Sequence, residues 1–133
     1  MEIQIHLTGR RLDANFQSAT DEYIKRISAF CKIKLSFHKK LEDISPKAGA
    51  YVINVNPCAD LIDSPQLASE INRICVNGFS KIEVFLSNSF IYEKADLSFA
   101  LSHLHMDEGL TCVSLTEQIY RAFTILNNIT YHK

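Results

Sequence analysis

The chain has 133 residues, a formal net charge of −1, 47% apolar residues and 22% charged residues. That length supplies one substantial core and excludes two ordinary domains, while the composition excludes a disordered chain, so a single domain over residues 1–133 is expected. A charge this close to zero provides no global positive field for phosphate, so any nucleic-acid contact must come from a local patch.

Cys31, Cys58, Cys75 and Cys112 have neither C-x-x-C pairing nor zinc-ribbon spacing, which predicts reduced thiols rather than a disulfide framework. Met1-Glu2-Ile3-Gln4-Ile5 lacks a basic leader region, and no later apolar run approaches bilayer-spanning length. The expectation is a soluble, cytoplasmic protein without membrane contact.

Ile3, Ile5 and Leu7 alternate with polar residues, the pattern of a strand with one buried face, and Gly9 ends it. After Asp13, an N-cap candidate, Phe16, Ala19, Tyr23, Ile27 and Phe30 recur at helical spacing. Ile33, Leu35 and Phe37 alternate again, and a β-branched run at Tyr51–Val55 follows the breakers Pro46 and Gly49. Ser64-Pro65 predicts the start of a second helix, whose stripe Leu67, Ile71, Ile74 stops at Asn77-Gly78. Residues 82–86 read as a strand, and residues 101–106 as a weaker strand or a loop. Leu115, Ile119, Ala122, Phe123 and Leu126 share one face of a last helix, with Ser114 and Glu117 at capping-box spacing.

Alternating strands and helices predict an α/β fold: a mostly parallel sheet with helices on both faces. Ligands then collect at the carboxyl ends of strands, just after Val55, Leu86 and Leu104. Ser87-Asn88-Ser89 could offer backbone donors there, but it lacks the glycines that permit close approach, and it reads as an ordinary polar turn. His103, His105, Asp107 and Glu108 could contribute to a zinc shell if the histidines alternated on a strand. The plainer reading is a solvated polar edge, and no metal site is expected. Arg10-Arg11, Lys25-Arg26 and Lys39-Lys40 are candidate phosphate contacts or ordinary surface charges, and Phe30, Phe37, Phe85, Phe90 and Phe99 read as core.

The segment Glu117-Gln118-Ile119-Tyr120-Arg121-Ala122-Phe123, followed by Tyr131-His132-Lys133, resembles the C-terminus of RlmH-type ribosomal RNA methyltransferases. Gly9, Glu22-Tyr23 with Lys25-Arg26, Asp63-Ser64-Pro65-Gln66-Leu67-Ala68 and Leu101-Ser102 extend the likeness over nearly the whole chain. The resemblance implies a SPOUT fold with a C-terminal trefoil knot, and a homodimer with sites at the subunit interface. It also implies S-adenosylmethionine as cofactor and a modified uridine of ribosomal RNA in the large subunit, within the ribosome, as substrate.

Carried over by position, Val55, Asn88, Leu101, Ser102, His103, Leu104, His105 and Met106 would bind the cofactor, while Arg121, Tyr131 and His132 would face the RNA or a neighbouring subunit's pocket. No residue is assigned as the catalytic group. Where the family has Ile-Gly-Gly-x-x-Gly this chain has Leu86-Ser87-Asn88-Ser89-Phe90-Ile91, and in place of Pro-His-x-Leu-x-Arg it has Asp107-Glu108-Gly109-Leu110-Thr111-Cys112. The chain is also shorter than the family norm between Phe37 and Tyr51 and between Asn88 and Leu101, so helices there are expected to be short or absent. Two functions follow: an RNA methyltransferase with altered cofactor loops that binds its cofactor weakly, or a catalytically silent SPOUT homodimer that serves as a binding module.

Overall fold

The computed structural model describes residues 1–131. Its elements run β1 (Glu2–Thr8), α1 (Ala14–Ile27), β2 (Lys32–His38), a 3-10 turn (Leu41–Asp43), β3 (Tyr51–Val55), α2 (Ser64–Val76), β4 (Lys81–Leu86), β5 (Leu97–Phe99) and α3 (Glu108–Leu126). The strands form one five-stranded sheet in the order β2-β1-β4-β3-β5, and every pairing is parallel.

Register follows the apolar alternation. Ile3 pairs with Ile33 on one side and Ile82 on the other, and Ile5 pairs with Leu35 and Val84. Ile3, Ile5, Leu7, Ile53, Val55, Ile82, Val84 and Leu86 therefore point to one face, where Leu67, Ile71, Ile74, Leu115 and Ile119 meet them. Each fully buried aliphatic side chain of this set contributes about 1.5–3 kcal/mol.

The expectation of helices on both faces is corrected. All three α-helices lie on this one face, with α3 packed between α1 and α2. The opposite face is covered by the connections 39–50 and 87–96, through a small cluster of Leu41, Val52 and Phe85 with Ile44, Phe90 and Tyr92. These are the two shortened segments, and a single 3-10 turn is the only helical piece in them.

Three local expectations also move. Phe99, the third residue of β5, reads as core in the sequence, but the strand itself is too short at three residues to show alternation; of the two alternatives for residues 101–106, strand or loop, the structure has the loop, formed of bends. The last helix begins at an Asp107 N-cap, whose side chain accepts from Gly109 N, well before Ser114. Ser114 instead bonds back to Leu110 O within the helix. For α2 the cap is Asp63, one residue before the predicted Ser64, and it forms a reciprocal capping box with Gln66. The remaining punctuation is as predicted, including Asp13 as the cap of α1 and Gly78, at φ +88°, just past α2. A side chain at that φ would be strained, which is why the stop requires glycine.

At the first turn of α3, Gly109 lets α1 approach closely: an added Cβ would lie 2.6 Å from Phe16 Cδ2. This contact places the start of α3 beside the carboxyl ends of β1 and β4, next to the candidate site at the ends of β3 and β4.

Candidate functional site

The parallel sheet aims the ends of β3 and β4 at the same edge of the molecule. Asn56, directly after β3, donates from Nδ2 to Ser87 O at 2.9 Å, and Ser87 N donates to Val55 O at 3.2 Å. These bonds fasten the two strand ends together. Beyond Phe99 the chain runs beside the β3–α2 connection, with Ala100 N donating to Asp60 O at 2.8 Å and Ile62 N to Ala100 O at 3.3 Å. Residues 101–107 then cross the strand ends to reach α3.

The crossing encloses a cleft lined by Val55, Asn56, Pro57, Asn88, Leu101, Ser102, Leu104, Met106 and Thr111. Six of the eight positions assigned from the sequence to the cofactor thus surround one space. His103 and His105 do not line it: both are exposed, and His103 Nε2 lies 3.0 Å from Ala59 O. Because residues 101–106 are not a strand, alternation does not bring the two imidazoles to a common face, and among the described residues no group of three His, Cys, Asp or Glu side chains is arranged to hold a metal.

Asn56, Pro57 and Thr111 were missed in the sequence reading. The signal for the first two was their place immediately after a β-branched strand; Thr111 lay in the segment set against the family's Pro-His-x-Leu-x-Arg motif, but its helix was expected to begin later.

Chemically the cleft is apolar at Val55, Leu101, Leu104 and Met106, with an amide side chain and a backbone donor at Asn88. Both donors of Asn88 are already used. Asn88 N donates to Glu108 Oε2 at 2.7 Å, Asn88 Nδ2 donates to Met106 O at 2.8 Å, and Ser89 N and Phe90 N donate to Ser87 Oγ at 3.1 and 2.9 Å. The serine hydroxyl thus folds the turn that glycines would otherwise make, and the Glu108 carboxylate sits where an incoming acceptor would bond. The enclosed space is about 10 Å³, whereas ligand pockets run to roughly 300–1,000 Å³. An open cavity of about 400 Å³ adjoins it, sharing Leu101, Ser102 and Met106 and reaching Ser64 and Gln118.

The sequence placed Cys112 where the family carries arginine in a ligand-facing motif. In the structure Cys112 is fully buried between helices near the Thr20 hydroxyl, and burial pushes its thiol up to about 12. This position faces the core, so its exchange for a thiol removes no contact from the cleft.

Arg121 and Tyr131 form a separate cluster. Arg121 Nη2 bonds to Glu117 Oε1 at 2.6 Å, its guanidinium stands 5.1 Å from the centre of the Tyr131 ring, and Tyr131 Oη donates to Glu117 Oε1 at 3.2 Å. Burial and the Glu117 carboxylate raise the Tyr131 phenol to about 12, so it stays a neutral donor. Ten residues of helix separate Thr111 from Arg121, about 15 Å along α3, while the adjoining cavity reaches Gln118, whose Nε2 donates to Glu117 Oε2 at 2.7 Å. His132 lies outside the described residues.

A family profile described as "Predicted SPOUT methyltransferase" matches residues 1–132. Ribosomal RNA large subunit methyltransferase H 1 of Thermoanaerobacter sp. (strain X514) is 31% identical over 136 residues, covering 100% of both chains. The methyltransferase H of Ureaplasma parvum serovar 3 is 32% identical over 161 residues with the same full coverage, and that of Oenococcus oeni is 30% identical over 159 residues, covering 100% of this chain and 99% of its own. The 136-residue alignment covers the whole Thermoanaerobacter protein, so a chain of this length is not peculiar to this protein. On the whole-chain match and these full-length relatives, this chain belongs to the SPOUT methyltransferase family, as a divergent member of its RlmH type.

Proposed function

We propose that this protein is an S-adenosylmethionine-dependent methyltransferase of ribosomal RNA in the large subunit, acting on a uridine or pseudouridine as a homodimer, with its cofactor held weakly. The observation that carries the reading is the convergence of Val55, Asn88, Leu101, Ser102, Leu104 and Met106 on one cleft at the carboxyl ends of β3 and β4. The residue types fit the cofactor: apolar walls for a purine's faces and a backbone donor for its edge. The space fits only when Glu108 releases Asn88 N and residues 101–106 move outward.

When bound, the cofactor supplies an electrophilic methyl group. The chain's own part is to orient and to exclude water, which Val55, Leu101, Leu104 and Met106 do by closing around the site. Arg121 and Tyr131 supply a cation and a neutral phenol donor suited to RNA phosphate and base edges. Their separation from the cleft of the same chain supports a dimer in which each subunit's cluster serves its neighbour's cleft. Leu104, 76% exposed, and Leu110, 41% exposed, give such an interface apolar surface to bury.

A knot is part of the same proposal. It is supported by the crossing of residues 87–96 over the loop-covered face, the bridge between Leu61 and Ala100, and the return of residues 100–107 to the helix face. Cytoplasmic residence is likewise inferred, from the ribosomal substrate; among the described residues no helix is long and apolar enough to cross a membrane.

A second reading, a catalytically silent SPOUT homodimer used for binding, is favoured by the Glu108 contact and the small enclosed volume. Titration calorimetry with S-adenosylmethionine and its demethylated product, followed by methyl transfer to large-subunit RNA, decides between them. Weak binding, with a dissociation constant above about 10 micromolar, together with measurable transfer supports the enzyme. No binding at millimolar ligand and no transfer establishes the silent dimer. Light scattering that gives a monomer at micromolar concentration overturns the assembly shared by both.

A further inference from the structure

The Arg121–Tyr131 cluster and the cavity beside the cleft are joined by a continuous chain of side-chain hydrogen bonds. Ser64, the first residue of α2, lines the cavity together with Gln118, and its Oγ donates to Gln118 Oε1 at 2.5 Å. Gln118 Nε2 donates to Glu117 Oε2 at 2.7 Å. The other Glu117 oxygen accepts from Arg121 Nε at 3.1 Å, Arg121 Nη2 at 2.6 Å and Tyr131 Oη at 3.2 Å. The direction of every link is fixed. The Glu117 carboxylate, ion-paired with Arg121, only accepts, so Gln118 must turn its NH2 to Glu117 and its oxygen to Ser64, and the Ser64 hydroxyl must then donate.

We propose that Gln118 is a positioning residue for Arg121 and Tyr131, and that Ser64 places Gln118 from the wall of the cavity. The inference rests on the reading of Arg121 and Tyr131 as the RNA-facing groups. Rotation about the last bond of a glutamate side chain is broad and roughly two-fold, so Glu117 does not itself decide where its oxygens point. One oxygen gathers three donors only while the carboxylate is held in one plane, and Gln118 holds it by the other oxygen. The glutamine amide has the same rotational freedom, and Ser64 removes it. Ser64 is fixed in turn, because it opens a helix closed by the Asp63–Gln66 capping box. What fills the cavity therefore bears on the cluster. An occupant that donates to Ser64 Oγ leaves the chain intact, whereas one that takes the Ser64 hydrogen frees the Gln118 amide and loosens the cluster. By linkage, RNA held by the cluster acts back on the cavity with the same energy.

An unbraced counterpart lies in the same molecule. Glu22 and Arg26 on α1 form the same pair at the same spacing, with Arg26 Nε 3.1 Å from Glu22 Oε1. Among the described residues no amide side chain bonds to Glu22. That pair is also the more open one: the Arg26 and Glu22 side chains are 45% and 55% exposed, against 26% and 17% for Arg121 and Glu117.

The test is NMR of the full-length protein without ligand, following exchange with water of the Arg121 Nε hydrogen against that of Arg26. Gln118→Met keeps the length and helix preference of the side chain but bonds to neither neighbour. It should speed exchange at Arg121 about fivefold, the size of one ordinary hydrogen bond, and leave Arg26 unchanged. Ser64→Ala should move Arg121 in the same direction by a smaller factor, and Ser64→Thr, which restores the hydroxyl, should return it to the parent value. Unchanged exchange at Arg121 in Gln118→Met overturns the positioning role. Equal acceleration at Arg26 overturns it as well, because it reports general loosening. No effect of Ser64→Ala, or an effect that Ser64→Thr does not reverse, overturns the coupling to the cavity. Every readout is taken on the free protein, so the result stands apart from methyl transfer, which the calorimetry and transfer measurements decide.

Discussion

The sheet's helix face and its loop face are built from the same five strands but covered in different ways. On the helix face three helices, with α3 seated between α1 and α2, contribute Ile27, Leu67, Ile71, Leu115, Ile119 and Ala122 to one continuous apolar layer. On the loop face three buried apolar residues, Leu41, Val52 and Phe85, share the space with His6, Asn54 and Glu83. Asn54 is satisfied by the crossing segment, donating from Nδ2 to Tyr92 O at 2.9 Å and accepting from Tyr92 N at 3.0 Å. A connection too short to form a helix can still close a sheet face if hydrogen bonds replace part of the apolar burial. The cover is then sensitive to charge and protons as well as to packing.

The sharpest way to break this comparison is truncation on each face. Leu115→Ala should cost about 3–5 kcal/mol in denaturant unfolding, because α3 is held on both sides and cannot collapse into the cavity. Leu41→Ala should cost about 2–3 kcal/mol, since the connection can settle. Equal losses would mean that the loop cover is as rigid as the helices.

The next effect concerns the cleft where the two faces meet. Glu108→Ala frees Asn88 N from a charged hydrogen bond of about 1.5–3 kcal/mol, so S-adenosylmethionine should bind about ten- to 150-fold more tightly by calorimetry. Unchanged affinity would assign the closure to residues 101–106 instead. A smaller effect tests the helix face at its edge: Asp63→Ala removes the capping box of α2 and should lower stability by about 0.5–2 kcal/mol.

The smallest effect is a pH slope from the loop face. His38 has a folded pKa lowered below 6.5 by burial and by His6, so the folded state favours its neutral form. That contribution is present above pH 6.5 and is lost as pH falls through the folded value. Unfolding curves should shift to lower denaturant below pH 6.5, and His38→Gln should flatten the shift.

Much of the helix face was legible in the sequence, because it is written in local periodicity: Ile3, Ile5 and Leu7 at period two, and Leu67, Ile71 and Ile74 at helical spacing. What failed was either short or non-local. β5 has three residues, too few to show alternation. The start of α3 was masked by Glu108-Gly109, which carries no apolar stripe; it is recognisable only from Phe16 packing against Gly109. The single-sided helix layer depended on where shortened connections lie in space. Within the site, Val55, Asn88 and four residues of 101–106, assigned through the family resemblance, line one cleft because the strand ends converge. The occupation of Asn88 N by Glu108 required side-chain geometry that no spacing rule encodes.

Cys112 gives the molecule a built-in gauge of its own opening. Cys58 and Cys75 are exposed, whereas Cys31 and Cys112 are buried with thiols raised to about 11 and about 12. Since the thiolate is the reactive form, an aqueous disulfide reagent should titrate two thiols at once and the other two only as the fold opens. Cys112 lies at the seam of α1 and α3, Cys31 at the entry to β2. Their separate labelling rates would report how often the helix layer parts at each place, without introducing a single foreign residue.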